Sequence, residues 1–253
     1  MTTDDQARKA FAERQAALLR FYDLPARSRY LDIERPEMRA HLLEAGDGEP
    51  LVLIHGGDGE GALWAPLMAE LEDGYRLYAL DRPGCGLSDP FDYRDVDLRR
   101  HAGDFVTSVL DALGLESATL VSTSMGGFFA LTTALDHPER VRRLAFVGMP
   151  LGMVSSAPLP LRLIAGVPGL SRRFMKTRGS IEAQRAQYRQ MFKTDPDTIP
   201  VPYLEARVAG VSIPATQDTW AVLLRRIAGL GGIRAGMYLG DELARLEVPT
   251  LVL

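Results

Sequence analysis

The sequence predicts an α/β protein in which a mostly parallel sheet is covered by helices on both faces. Short apolar runs of strand length alternate with segments of helical periodicity, and each run is continuously apolar. Such runs are typical of strands buried on both faces, and successive parallel strands need a crossover helix between them. With 253 residues, the chain is long enough for one such domain with an insertion.

The segments before the first buried run have a different pattern. Residues 4–22 place apolar side chains along one side of an amphipathic helix, which we interpret as an N-terminal helical extension spanning residues 1–27. Residues 30–33 and 38–43 are strand-like and are separated by a turn at Pro36. They resemble an antiparallel hairpin at a sheet edge.

The next part of the chain alternates regularly between strand and helix. The predicted strands occupy residues 51–54, 77–80, 119–121 and 144–147. The helices predicted between them occupy residues 63–71, 98–113 and 125–137. This alternation favours a parallel arrangement of the four strands.

The alternation stops at Met149. Four helix-like stretches follow, and the strand pattern returns once, at residues 248–253. The helix-like stretches are residues 161–176, 181–193, 203–209 and 219–227. We interpret residues 149–240 as a helical lid, because about 90 residues is too long for an unstructured loop. The expected core is then residues 28–148 together with residues 241–253.

Ser124 is the candidate nucleophile. It lies between a predicted strand and a predicted helix that begins near Met125, in the motif Ser122-Thr123-Ser124-Met125-Gly126-Gly127. A sharp strand-to-helix turn exposes a serine hydroxyl to a base and to N–H donors, and the small residues around Ser124 permit such a turn. The alternative is that Ser124 only caps the helix, a role that serine often fills.

Two backbone N–H groups are candidate donors to an oxyanion. The Met125 N–H lies at the predicted helix N-terminus, where unpaired N–H groups point outwards. The second donor is expected in the loop after the first buried strand, where we choose the Gly57 N–H. His55 and Gly56 belong to the same loop, and we expect His55 to fix the loop by hydrogen bonding.

These segments resemble the α/β-hydrolase family, specifically its lidded esterase-like and carbon–carbon-bond-hydrolase-like members, over about residues 28–253. Besides the segments at 55–57 and 122–127, the resemblance rests on the turn motif Asp81-Arg82-Pro83-Gly84-Cys85-Gly86-Leu87-Ser88-Asp89. The family usually has glycine at the position of Ser122, so this chain departs slightly from its pattern. Serine at position 124, rather than aspartate, argues against the family's haloalkane dehalogenases and epoxide hydrolases. The resemblance implies hydrolysis of an ester or related carbonyl substrate through an acyl-enzyme on Ser124.

The resemblance also implies an acid and a histidine that follow the nucleophile along the chain. Both expected places lie beyond Leu253, and residues 148–152 contain no carboxylate. The four histidines are expected to have structural or solvated roles, with His101 on the polar side of its helix. We therefore expect a C-terminally truncated hydrolase that lacks its final strand and helix and is inactive as it stands.

Three other activities remain open on the same scaffold: carbon–carbon bond hydrolysis, cofactor-free perhydrolysis and ligand binding without catalysis. The expected partner is a small-molecule substrate, with no cofactor and no metal. Acidic and basic residues are scattered along a chain of net charge −4, so neither nucleic acid nor a membrane is expected as a partner. The only cysteine, Cys85, excludes an intrachain disulfide and is expected to be an inert turn residue in a cytoplasmic protein. The sequence does not indicate an oligomeric state.

Overall fold

The computed structural model describes residues 2–253, apart from the side chains of residues 191 and 192. The strands of this part of the chain are β1 Arg27–Glu34, β2 Glu37–Ala45, β3 Glu49–Ile54, β4 Tyr75–Leu80, β5 Ala118–Ser122, β6 Val141–Phe146, β7 Ala228–Gly229, β8 Gly232–Ile233 and β9 Thr250–Val252. The helices are α1 Thr3–Phe21, α2 Ala65–Leu71, α3 Leu98–Ala112, α4 Met125–Asp136, α5 Leu159–Gly166, α6 Leu170–Lys176, α7 Ile181–Gln187, α8 Val201–Val211 and α9 Pro214–Ile227. None of these helices is both long and apolar enough to cross a membrane.

The central sheet has seven strands in the order β1-β2-β4-β3-β5-β6-β9. The strands from β4 to β9 in this order pair in parallel, whereas β1 pairs with β2, and β2 with β4, in antiparallel register. Strand β5 is buried along its whole length, as a continuous apolar run in the middle of a sheet requires. The predicted mostly parallel sheet with an antiparallel hairpin at one edge is confirmed.

Helices cover both faces of this sheet. Phe105 of α3 and Phe128 of α4 belong to the apolar core on one face. On the other face, Phe11 of α1 and Met68 of α2 pack with the opposite side chains of the strands. This two-layer burial follows from the alternation of side chains across each strand.

The helices α5 to α9 lie between β6 and β9 in the sequence, and we use the name lid for residues 149–240. One predicted helix in this region, residues 161–176, is wrong. It is broken into α5 and α6, because Pro168 has no N–H to donate and Gly169 adopts a left-handed φ of +78° at the start of α6. Two lid residues, Arg207 and Thr219, donate hydrogen bonds to the loops that follow β3 and β4, so the lid lies against these loops.

Candidate active site

Ser124 lies in a tight turn between β5, which ends at Ser122, and α4, which begins at Met125. Its backbone has φ 49° and ψ −116°, a left-handed conformation that is strained for a non-glycine residue and typical of functional turns. The residue is exposed, and its side chain makes no capping hydrogen bond to α4. The alternative of a capping serine therefore has no hydrogen bond to support it.

The glycines after Ser124 let α4 approach its neighbours closely. A Cβ at Gly126 would lie 2.1 Å from the carbonyl oxygen of Ile54, and a Cβ at Gly127 would lie 2.3 Å from Pro150 Cβ. Neither position can accept a larger residue without moving the backbone. Ser122, at the position where the α/β-hydrolase family usually has glycine, is fully buried at the end of β5.

The loop after β3 lies directly against Ser124. A Cβ at Gly56 would be 3.0 Å from Ser124 Cβ. Arg82 Nη2 donates a hydrogen bond of 3.2 Å to the Gly56 carbonyl and also bonds the Gly57 carbonyl. Because a peptide bond is planar and trans, the Gly57 N–H points away from the carbonyl of Gly56 and hence away from Arg82. Within the described part of the chain, neither the Gly57 N–H nor the Met125 N–H has a backbone acceptor.

His55 uses both ring nitrogens inside this loop. Its Nδ1–H donates to the Gly56 carbonyl at 2.8 Å, and its Nε2 accepts from the Arg82 N–H at 3.0 Å. Burial, assisted by the nearby Arg82 guanidinium, lowers the pKa of His55 to about 3. His55 is therefore neutral and engaged, and it has no free nitrogen to accept the Ser124 proton. The sequence did not reveal the part played by Arg82.

Two lid arginines hold Asp58, the residue after Gly57. Arg207 donates to the Asp58 carbonyl at 2.7 Å and to Asp58 Oδ1 at 2.6 Å, and Arg178 Nε lies 3.0 Å from Oδ2. All three side chains are buried. Burial raises the pKa of Asp58, but Arg207 and Arg178 outweigh it and hold the pKa below its usual value. Trp220 of α9 also packs on this loop, since a Cβ at Gly57 would lie 3.3 Å from its ring.

A chain of hydrogen bonds from serine to histidine to aspartate lies elsewhere in the molecule. Ser28 Oγ is 2.8 Å from His41 Nε2, and His41 Nδ1 is 2.7 Å from Asp81 Oδ2. Asp81 also accepts the N–H groups of Gly61 at 2.6 Å and Leu87 at 2.8 Å. These contacts fix the turn after β4, so Asp81 has a structural role in that turn.

The prediction that His101 lies on the polar side of its helix is wrong. His101 is buried, stacked on Phe91 at 4.5 Å between ring centroids and edge-on to Tyr93 at 5.1 Å. Burial lowers the pKa of His101 to about 4, so it is neutral. The loop that carries Phe91 and Tyr93 folds over this side of α3, which helical periodicity alone does not indicate. His137, at the end of α4, lies 4.0 Å from Glu139.

The described residues therefore bring the predicted nucleophile and donors together without a base. The four histidines contact other groups, and no hydrogen bond joins any of them, or any carboxylate in residues 2–253, to the Ser124 side chain. Over the same residues, no group of three or more His, Cys, Asp or Glu side chains could hold a metal ion.

Cys85 is expected to resist thiol reagents in the folded protein. It is fully buried in the turn after β4, and burial raises the pKa of its thiol to about 12, so little thiolate forms. With Ellman's reagent at mildly alkaline pH, the native protein should release no thionitrobenzoate, whereas the urea-unfolded protein should release one equivalent per chain. Fast reaction of the native protein would contradict this burial.

Comparison with known proteins places this geometry in a family. The model of the alpha/beta hydrolase fold matches residues 49–186, slightly more than half of the chain. A 2-hydroxy-6-oxononadienedioate/2-hydroxy-6-oxononatrienedioate hydrolase of Paraburkholderia phymatum is 36% identical over an alignment of 159 residues, and the match covers 58% of this chain and 54% of that protein. The 2-hydroxymuconate semialdehyde hydrolase of Pseudomonas sp. strain CF600 is 44% identical over an alignment of 119 residues, and the match covers 44% of this chain and 40% of that protein. The chain thus spans about half the length of the curated relatives it matches.

Among solved structures, a carboxylesterase from Bacillus subtilis has the same fold. It superimposes with a TM-score of 0.73 and 22% sequence identity, covering 98% of this chain and 80% of that one. At this identity the likeness concerns the fold alone.

Proposed function

Because the chain belongs to the alpha/beta hydrolase fold family, we propose that it carries the nucleophile of a serine hydrolase that acts on an ester or related carbonyl compound. The observation that carries the proposal is the exposed Ser124 at φ 49°, in a strand-to-helix turn packed against the loop of Gly56. Substrate would enter between this turn and the lid, which reaches the same loop through Trp220. The expected partner is a small molecule.

In the proposed reaction, Ser124 Oγ attacks the substrate carbonyl carbon while its proton passes to a general base. The carbonyl oxygen becomes an oxyanion and accepts hydrogen bonds from the N–H groups of Gly57 and Met125. The tetrahedral intermediate then collapses and expels the leaving group, which takes the proton from the base. Water hydrolyses the resulting acyl-enzyme by the same sequence of steps. Because Arg82 and Asp58 hold the loop of Gly57 on both sides, this donor is preorganised.

We propose that the base and its orienting acid come from residues other than 2–253. This is supported by the histidines, whose contacts lie elsewhere, and by the partial coverage of the curated relatives. In the proposal, residues 2–253 supply the nucleophile, the oxyanion donors and the lid. A cytoplasmic location also stays a prediction.

Hydrolysis of a carbon–carbon bond is the second candidate, because the curated relatives at 36% and 44% identity are named for substrates of that kind of chemistry. In that reaction the leaving group is a carbanion, which needs protonation at carbon, whereas an ester releases an oxygen leaving group. A panel of p-nitrophenyl esters and vinylogous 1,5-diketo acids would therefore separate the two activities. No specific observation favours perhydrolysis.

A serine-directed fluorophosphonate tests the proposal itself. The full-length gene product should be labelled at Ser124, as located by peptide mass spectrometry, and Ser124→Ala should abolish the label. Ser28→Ala is the matched control, because Ser28 also lies next to a histidine, and this change should leave the label at Ser124 intact. If Ser124 stays unlabelled while a known serine hydrolase in the same solution reacts, the protein is a ligand-binding homologue without this catalysis.

A further inference from the structure

Basic side chains of the lid, together with Arg94 of the loop after β4, surround two adjoining cavities. The first has a volume of about 590 Å³, and its lining includes Arg94, Arg172, Arg225, Arg226 and Arg234 but no carboxylate. The second, of about 540 Å³, shares Gly169 and Arg172 with the first and adds Arg173, Lys176 and one carboxylate, Asp218. The chain as a whole has a net charge of −4, so this concentration of positive charge is local.

Most of these cations have no carboxylate to neutralise them. Arg226 donates to the carbonyl of Val96 at 2.6 Å, and Arg234 donates to the carbonyl of Arg225 at 2.7 Å. These contacts orient each guanidinium, but a carbonyl is neutral and does not balance the positive charge. Arg225 forms no ion pair with any carboxylate of the described residues, and the same holds for two further lining residues, Arg173 and Lys176. Only Arg94 and Arg172 have acidic partners, Asp92 and Asp218, and all four side chains are exposed. The cavities therefore carry an excess of positive charge at neutral pH.

A row of exposed apolar side chains lies on α5 and just beyond its end. Leu159 and Leu163 are 63% and 41% exposed and are four residues apart, which places them on one side of α5. Val167, the first residue after α5, is 37% exposed. Leu230, in the β7–β8 turn, is 55% exposed and lies beside this helix. Its backbone accepts a hydrogen bond of 2.7 Å from Arg162 Nε.

The apolar row adjoins the basic cavities. Val167 is two positions before Gly169, which lines both cavities. Leu230 follows Gly229, and a Cβ at Gly229 would lie 3.4 Å from Arg234 Nη2. We use the name lid patch for this combined surface, which comprises Leu159, Leu163, Val167, Arg172, Arg173, Lys176, Arg225, Leu230 and Arg234.

We propose that the lid patch binds the surface of a membrane that contains anionic phospholipids. Arginine forks match the geometry of phosphate oxygens, and exposed leucines beside them can enter the boundary between headgroups and acyl chains. A nucleic acid or an acidic protein surface would neutralise the charge of the cations but would leave the leucine side chains exposed to water. The proposal revises the expectation of no membrane partner. The sequence alone does not indicate this patch, because its cations come from three separate segments, residues 172–176, 225 and 234.

Co-sedimentation of the full-length gene product with lipid vesicles tests the proposal. We expect binding to vesicles of phosphatidylcholine mixed with phosphatidylglycerol, much less to phosphatidylcholine alone, and weakening with added salt. The variant Arg172→Glu/Arg173→Glu/Arg225→Glu should bind at least about tenfold more weakly, because each change removes one phosphate contact and adds a repulsive charge. The patch residues take no part in the proposed chemistry at Ser124, so the outcome does not depend on catalysis.

The matched control is Arg20→Glu/Arg27→Glu/Arg35→Glu. These three arginines are exposed, form no ion pair within residues 2–253 and lie outside the lid, yet the variant has the same change in net charge. It should bind like the unchanged protein. A loss of binding equal to that of the lid variant would show attraction by net charge and overturn the proposal, as would failure of the unchanged protein to sediment with anionic vesicles at low salt.

A second variant, Leu163→Ser/Leu230→Ser, separates a membrane from other partners. Both side chains are exposed, so the fold should survive, which circular dichroism can check. Vesicle binding should fall severalfold, because the apolar insertion is lost. If this variant binds vesicles as well as the unchanged protein does, only the cations contribute to binding, which favours an acidic macromolecule as the natural partner. A concentration-dependent dimer that these serines abolish would assign the surface to a second copy of the chain, and either result would overturn the proposal.

Discussion

Replacing Ser124 with alanine is expected to lower kcat of the full-length gene product by on the order of 10⁶-fold. Without Oγ no acyl-enzyme can form, and only the oxyanion donors and substrate binding remain to accelerate attack by water. The measurement is steady-state turnover of an activated ester, with the variant purified from a host that lacks background esterase. Since Ser124 is exposed and makes no capping hydrogen bond, its loss should change the free energy of unfolding by less than about 0.5 kcal/mol.

Two comparisons make this result specific. Ser124→Gly should be equally inactive yet more stable than Ser124→Ala by about 1 kcal/mol, because only glycine adopts φ 49° without strain. The 253-residue chain alone should turn over substrate no faster than Ser124→Ala, since it brings no base to the nucleophile. Brisk turnover by that chain, lost on Ser124→Ala, would mean that one of its own groups accepts the proton and would refute the proposed external base.

The features of this protein that the sequence predicts are those determined by residues close together along the chain. The strands and helices around the sheet follow from apolar runs and helical spacing, and the turn at Ser124 follows from small residues between a strand and a helix. The break at Pro168 is just as local, but the apolar spacing on both sides of it led to the prediction of a single helix. Periodicity therefore indicates the type of an element better than its continuity.

The contacts that support the candidate site are not local. Arg207 reaches Asp58 across 149 positions of sequence, and Arg82 reaches the carbonyl of His55 across 27. A single sequence shows that an arginine is present but not which carbonyl or carboxylate it will meet. The basic cavities of the lid were missed for the same reason, because folding brings together cations that are scattered along the chain.

Removing the charge of Asp58 is expected to destabilise the protein by about 3–5 kcal/mol. The variant Asp58→Asn keeps the size of the side chain but removes the carboxylate that faces the buried guanidiniums of Arg207 and Arg178. Glu60 lies 3.8 Å from Arg207, but burial raises the pKa of Glu60 well above its usual value, so Glu60 replaces the lost charge poorly. Urea unfolding followed by circular dichroism measures the difference. Arg14→Met is the matched control, because Arg14 pairs with Glu205 of α8, the helix that also carries Arg207. Since the Arg14 side chain is 52% exposed, its loss should lower the free energy of unfolding by no more than about 1 kcal/mol.

The pH dependence of unfolding checks the cause of this loss. The pKa of Asp58 is lowered in the folded state, so its ionised form stabilises the fold at all pH values above its unfolded pKa. This contribution disappears as pH falls through the lower, folded value. The unchanged protein should therefore lose more stability on acidification than Asp58→Asn, and equal losses would mean that the pair contributes nothing through its charge.

A double-mutant cycle then decides whether the lid arginine and the loop aspartate act as one unit. Arg207→Met alone leaves Asp58 with Arg178, so it should cost less than Asp58→Asn. The double variant should cost less than the sum of the two single changes, because neutralising both partners leaves fewer unpaired buried charges. Simple additivity would show that the two side chains are independent. In that case the lid would not hold the loop that carries the Gly57 N–H, and kcat of the full-length enzyme should be unaffected by Arg207→Met.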